Sequence, residues 1–196
     1  MFDPDAPALP GSGIYGLDTP ADEASVVLLP VPFGPTQSYG TGAEEGPQAI
    51  LTESHQVDLF DLETGHPYEA GICLLDTPED FLKLHHIAAP AARKIIDAGS
   101  EEGFEAELEV VNTACASMND LVYRSCQEWV AKDVLVGVIG GDHSVPLGNI
   151  RAHAEKYPGL GILHLDAHAD LRVAYEGFTY SHASIMERVL DEAPGI

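Results

Sequence analysis

Two apolar runs each empty directly into a group of metal-ligand residues, and this limits the fold more tightly than anything else in the chain. Val134-Leu135-Val136-Gly137-Val138-Ile139 leads into Gly140-Gly141-Asp142-His143-Ser144, and Leu160-Gly161-Ile162-Leu163-His164-Leu165 leads into Asp166-Ala167-His168-Ala169-Asp170. Near-continuous apolar runs of this length predict strands buried on both faces of a parallel sheet. In such sheets the ligand site lies beyond the carboxyl ends of the strands. Both groups fall there.

Asp166, His168 and Asp170 alternate with two alanines. On an extended segment side chains two apart share a side, so the three are expected to converge. Carboxylates and imidazoles gathered at a buried strand end need a compensating cation. His164, taken alone, reads as a core histidine with its hydrogen bonds satisfied. Imidazole nitrogen with several carboxylate oxygens suits Mn, Fe, Co or Zn better than Mg or Ca, which prefer oxygen shells. Two ions sharing a bridging carboxylate would account for so many acids and would acidify a bridging water, which is the chemistry of metal-assisted hydrolysis. A binuclear phosphoesterase places its Asp-x-His ahead of its Gly-Asp; here the order is reversed.

The remaining elements are expected to alternate. Residues 1–24, rich in Pro, Gly and Asp, read as an irregular arm, and residues 25–196 as part of one domain. Ser25 to Val31 predicts a strand ended by Pro32, Val57 to Phe60 an alternating strand, and Gly71 to Leu75 another short one. Gly46-Pro47 opens a helix to about His55. Residues 79–131 predict two helices broken near Gly99 to Gly103. Leu82, Ile87, Ala91, Ile95 and Ile96 supply the first apolar face; Met118, Leu121, Val122, Cys126, Trp129 and Val130 supply the second. Glu101, Glu102, Glu105, Glu107 and Glu109 read as a solvated connection or helix start. Ser144 is the expected N-cap, with Pro146 in the first turn, of a helix to about Tyr157, and a last helix spans about 183–191. The expected fold is α/β, a three-layer parallel sheet with helices on both faces.

With 196 residues, one such domain is the expectation. Thirty-two Asp and Glu against nine Lys and Arg leave a formal charge of −23, which argues against nucleic acid and anionic membranes as partners. A cationic substrate fits that charge, and so does a merely solvated acidic surface. Cys73, Cys115 and Cys126 form no CxxC pair and no leader pattern opens the chain, so reduced thiols in the cytoplasm are expected. No apolar run reaches the length of a membrane span. His85-His86 reads as helix surface. Gly40-Thr41-Gly42 lacks the spacing of a nucleotide loop.

On these residues the chain resembles the ureohydrolase (arginase/agmatinase) family. Gly140 to Ser144 is similar to the family's first metal motif and Asp166 to Asp170 to its second. Pro30-Val31-Pro32-Phe33, Ser38 to Gly42 and Glu45 to Leu51 resemble the N-terminal loop and helix of agmatinase-like members. Tyr180-Ser181-His182-Ala183-Ser184 resembles the family's Ser-His-Gly segment, with Ala183 in place of the glycine. The resemblance covers about residues 25–190. It implies an arginase/deacetylase-like fold of which the first half is present, and two Mn2+ per complete site. His143 and Asp170 would ligate the first ion, Asp166 would bridge, and His168 would ligate the second. It implies hydroxide attack on a guanidinium carbon, Asp170 passing the proton to the departing amine, and His182 as proton shuttle or substrate contact. Asp142 would orient the ligand histidine or its neighbours. Agmatine cleaved to putrescine, a polyamine-forming step, is the implied reaction, in a trimer or hexamer of copies.

The family's third motif, Ser-x-Asp-x-Asp-x-x-Asp-Pro, has no counterpart here; Asp191-Glu192 lacks the pattern. The chain is thus expected to be an N-terminal fragment or a degenerate relative, binding manganese weakly and turning over poorly or not at all. The alternatives are a non-catalytic binding or oligomer module, and an enzyme on arginine, guanidinobutyrate or formimidoylglutamate. Arg172 is placed to pair with a carboxylate substrate or with an acid of this chain.

Overall fold

Val27, Leu29 and Val31 are sealed from solvent because they lie on a strand flanked on both sides. That strand, β1 (Val26–Val31), pairs in parallel with β2 (Ile72–Leu74) and with β3 (Leu135–Gly140), in the order β2-β1-β3. The β1–β3 register runs from Val26 opposite Leu135 to Val31 opposite Gly140, so the two carboxyl ends emerge side by side. The computed structural model describes residues 6–193 and 195–196, and the first five residues of the predicted arm lie outside them. The rest of the arm is packed rather than loose. Ile14 and Leu17 are buried, and the Tyr15 N–H donates to Ser54 Oγ at 2.9 Å.

Among the described residues five α-helices lie on both sides of the sheet: α1 (Gly46–Glu53), α2 (Glu79–Ala98), α3 (Glu105–Val130), α4 (Leu147–Lys156) and α5 (Ile185–Glu192). The predicted break between α2 and α3 is present. Gly99, at φ 68°, turns left-handed and donates to the carbonyls of Ile95 and Ile96, the expected use of glycine at a helix C-terminus. The buried stripe of α3 (Val111, Cys115, Met118, Val122, Cys126, Val130) includes most of the predicted face. The three thiols are free, with Cys115 and Cys126 in the core. No helix among the described residues is long and apolar enough to cross a membrane.

Several expectations are corrected. On α2 the buried face is Phe81, His85, Ala88, Ala91, Ala92 and Ile95; the predicted Ala91 and Ile95 are on it and Ile96 packs against it, but Leu82 and Ile87 point outward. The bulky Phe81 and three alanines join the core beside α3, and Leu82 and Ile87 lie off that face. His85 is therefore buried, not surface: its Nδ1 accepts from the Gly34 N–H at 3.3 Å and its Nε2 lies 3.7 Å from Glu44 Oε1. Val57 to Phe60 forms no strand. The turn that follows is instead organised by Asp61 Oδ1, which accepts from the N–H groups of Glu63 and Thr64 and from the Thr64 hydroxyl. Ser144 does not cap α4. Pro146 holds the cap position and the Ser144 hydroxyl turns to Asp142. Residues 160–165 carry no ladder bonds, and Leu163 and Leu165 are 83% and 85% exposed.

Tight helix packing gives a direct test. A Cβ at Gly148 of α4 would lie 2.3 Å from Asn119 O and 2.5 Å from Tyr123 N on α3, whereas one at Gly161 would meet nothing. Gly148→Ala should cost about 3 kcal/mol by forcing the helices apart, and Gly161→Ala within roughly 0.5 kcal/mol of nothing, measured as urea midpoints.

His85 supplies a second test. Burial holds its imidazole below the ordinary 6.5; Glu44 opposes this, His86 adds to it and Asp142 opposes it. The unfolded chain therefore takes up this proton at a higher pH than the folded one. Stability is lost as pH falls from 6.5 toward the lowered folded value, and above 6.5 the group adds no slope. His85→Gln should flatten the drop in urea midpoint between about pH 7.5 and about pH 5.5.

Candidate metal centre

The close approach of two strand ends builds the floor of the site. Gly141 follows β3 where no side chain fits, since a Cβ there would lie 1.8 Å from Phe33 O. The chain crosses the end of β1, and the Asp142 N–H donates to Phe33 O at 3.0 Å. The Asp142 carboxylate, 7% exposed, then accepts from the Thr36 N–H at 3.0 Å and hydroxyl at 2.8 Å, and from the N–H and hydroxyl of Ser144. Asp142 thus fastens the loop after β1 to the loop after β3, and touches the neighbours of His143 rather than its ring.

His143 projects toward the second motif. Its Nδ1 lies 2.7 Å from Asp170 Oδ2 and 3.2 Å from Asp166 Oδ2. Asp170 is nearly buried and adopts φ 49°, a left-handed conformation that Asp tolerates better than most residues. Its carbonyl accepts from the N–H groups of Met186 and Glu187 at the start of α5, which anchors it. Asp166 Oδ1 accepts from the His168 N–H at 2.9 Å. That bond holds the Asp166 carboxyl below its ordinary value against burial, with His143, His164 and His168 assisting.

Three of the four predicted ligands therefore meet, and the fourth stands apart. The chain bends at residues 166–168, which breaks the alternation on which the convergence of His168 rested. Its side chain is 81% exposed, with Nδ1 3.4 Å from Asp166 Oδ1. In its place stands His164: one donor atom each from His143, His164, Asp166 and Asp170 all lie within 4.8 Å of one another. Two imidazoles and two carboxylates suit a borderline divalent ion such as Mn, Fe, Co or Zn. Sequence reasoning set His164 aside, although the same two-residue alternation places it beside Asp166.

His182 lies across the cleft. Its N–H donates to Thr36 Oγ1 at 3.1 Å, its Nε2 is 3.1 Å from Ser38 Oγ, and its ring meets Tyr175 edge-on at 5.5 Å. The cleft between, about 1110 Å³, is lined by Ser38, Thr41, His143, Asp170, Arg172 and His182 among others. The Arg172 guanidinium stacks on the Tyr175 ring at 5.1 Å. Glu176, at φ 53°, has its carboxyl pushed up by burial, with His182 and Arg93 opposing.

The sequence model of the Arginase family matches residues 24–195. The chain is 36% identical over 176 residues to the N(1)-aminopropylagmatine ureohydrolase of Thermus thermophilus, covering 89% of this chain and 50% of that protein. It is 32% identical over 170 residues to the agmatinase of Bacillus cereus, covering 87% and 49%. Among solved structures, the agmatine ureohydrolase of Thermoplasma volcanium superposes with a TM-score of 0.62 at 22% identity, covering 91% of this chain and 52% of that one. The chain spans about half the length of the curated relatives it matches.

The Asp142 junction should be measurable as stability. Asp142→Asn places amide protons against donors and should cost about 3 kcal/mol in urea denaturation without metal. Thr36→Val should cost about 1.5 kcal/mol, and the double variant less than the sum, because both changes remove the same bonds.

Proposed function

Because the chain belongs to the arginase family, we propose that it carries metal-binding residues of a ureohydrolase centre that cleaves a small guanidino amine to urea and the free amine. Agmatine, giving putrescine, and N(1)-aminopropylagmatine are the substrates we favour. The convergence of His143, Asp166 and Asp170 at the ends of two chain segments is the observation that supports this reading most strongly.

The family is in general dependent on two metal ions, and the donor set here fits borderline divalent ions, of which we take Mn2+ as the working cofactor. His143, Asp166 and Asp170 would hold the first ion, and Asp166 and His168 would face the second. When bound, such ions supply Lewis acidity that brings a water's pKa toward neutrality. Asp170, fixed by the N–H groups of α5, is placed to hold a proton at Oδ2 and deliver it to the departing amine. His182, steadied by Ser38 and Thr36, would contact the substrate across the cleft or relay its proton. The excess of 32 acids over nine bases favours approach of a cation. We place the protein in the cytoplasm as a homo-oligomer.

Arg172 supports a second reading. It lines the cleft and rests on Tyr175 rather than on an acid, so a carboxylate at the substrate's far end, as in guanidinobutyrate, would meet it.

Calorimetry of the Mn2+-loaded chain, with urea release followed in parallel, tests both readings. Agmatine or its aminopropyl derivative should bind only with metal present, about tenfold more tightly than arginine or guanidinobutyrate, and Asp166→Asn should abolish that binding. Preference for guanidinobutyrate, lost in Arg172→Gln, would move the assignment to the second reading. No metal-dependent binding of any guanidino compound would overturn both.

A further inference from the structure

We propose that Thr36 and Ser38 are positioning residues for His182: together they hold its imidazole with the proton on Nδ1 and turn a bare Nε2 to the cleft. The tautomer follows from hydrogen bonds within this chain, and its use toward a guanidino substrate rests on the reading of the cleft given above.

The count of protons begins at Asp142. Its carboxylate only accepts, and its Oδ2 takes both the Thr36 N–H at 3.0 Å and the Thr36 hydroxyl at 2.8 Å. A hydroxyl has one proton, so Thr36 Oγ1 has none left to donate, and its two lone pairs can only receive. One takes the backbone N–H of His182 at 3.1 Å, and the other faces His182 Nδ1 at 3.5 Å. Thr36 is sealed from solvent, so bulk water does not compete for these positions. A bare Nδ1 would set lone pair against lone pair in a buried place and leave both acceptors unsatisfied. A proton on Nδ1 instead closes the chain from Asp142 through Thr36 to His182, with each donor and acceptor of the hydroxyl used. The tautomer of an imidazole is set by the hydrogen bonds its nitrogens make, and here they require Nδ1–H.

The second nitrogen has a partner of the opposite kind. His182 Nε2 lies 3.1 Å from Ser38 Oγ, and Ser38 lines the cleft. A serine hydroxyl turns to suit its neighbour, donating to a bare Nε2 and accepting from a protonated one. His182 can therefore gain and give up a proton at Nε2 without losing a bond at either nitrogen. The Tyr175 ring, edge-on at 5.5 Å, limits rotation of the imidazole. The charged groups around it are Glu176, whose carboxyl faces His182 and Arg93 of α2, Asp142 behind Thr36, and Arg172 on the far side of Tyr175. Among the described residues, the hydrogen bonds to the ring nitrogens come from Thr36 and Ser38 alone. A lone pair at Nε2 receives an N–H of a cationic amine entering the cleft, which the opposite tautomer, offering Nε2–H, would turn away.

Long-range proton–nitrogen NMR of the chain, labelled with 15N at its nine histidines, reads the tautomer directly. His182→Gln assigns the signals. In alkaline solution, where imidazole is neutral, the parent should show Nδ1 protonated and Nε2 bare. Thr36→Val should shift the ring toward the Nε2–H form that free histidine prefers, and Thr36→Ser, which keeps the hydroxyl, should restore Nδ1–H. Ser38→Ala should leave the proton on Nδ1 and move the Nε2 resonance, because the bare nitrogen loses its donor. An Nε2–H tautomer in the parent, a reading that needs no variant to fold, overturns the proposal. Nδ1–H fully retained in Thr36→Val, or an Nε2 resonance unmoved in Ser38→Ala, overturns it as well. Neither metal nor guanidino compound enters this measurement, so its failure and the failure of guanidino binding in calorimetry are separate results.

Discussion

The buried carboxylate of Asp142 is the knot from which the rest of the cleft hangs. An unpaired charge that far from water would cost several kcal/mol, so its oxygens must be met by donors. Four meet them, two from Thr36 and two from Ser144. The glycines before it make this possible. Gly141 can lie against Phe33 O only because it lacks a Cβ, and that contact carries Asp142 within reach of the loop after β1. The Thr36 hydroxyl then accepts from the His182 N–H, so three segments remote in sequence share one junction. His143 follows Asp142 directly and inherits its position from this junction.

How far such an arrangement can be read from sequence depends on where the determining information lies. Val26–Val31 and Leu135–Gly140 become strands because each finds a partner with matching register. Residues 160–165 have the same apolar content and no partner among the described residues, and nothing within that segment reports the difference. The four-residue run from Val57 to Phe60 fails for a local reason: the Asp61 side chain bonds the backbone that follows it. On α2, counting apolar residues selects Ala91 and Ile95 rightly but also Leu82 and Ile87, whereas Phe81 and the small Ala88 and Ala92 complete the buried face, and His85 lies among them. Its burial between Gly34 and Glu44 is a tertiary fact with no mark in the helix's own pattern.

Within the site, legibility follows backbone conformation. Alternation holds as long as the chain is extended, and it stops at the bend over residues 166–168. Asp166 sits at the first residue of the bend, where the two-residue rule still holds. Asp170 also meets His143, but through its left-handed φ of 49° and the grip of α5 on its carbonyl, so the rule reached it for the wrong reason. His168 falls within the bend and is turned to solvent. His164 stands two residues before Asp166 and shares its side, although a single histidine in an apolar run resembles core. The pattern was sound; its range of validity ended four residues earlier than the motif suggested.

Charge within the cleft is graded from floor to rim. Asp166 and Asp170 stand 3.2 and 2.7 Å from His143 Nδ1, with the Asp166 carboxyl held toward its ionised form by the His168 N–H. At the rim, Arg172 is the cationic side chain lining the cleft, and it is stacked on Tyr175 instead of being neutralised by an acid. If the centre takes guanidino compounds, as proposed, its carboxylates would treat all guanidinium heads alike, because each presents the same planar cation. Discrimination among such compounds would therefore have to act on the tail, where Arg172 stands. On the proposed reading, an ammonium tail would be repelled by Arg172 unless it passed along Ser38 and Thr41, whereas a carboxylate tail would be drawn to it. On the proposed reading, the choice between an amine and an acid would thus turn on the position of one guanidinium, while the carboxylates would determine only that a cationic head enters.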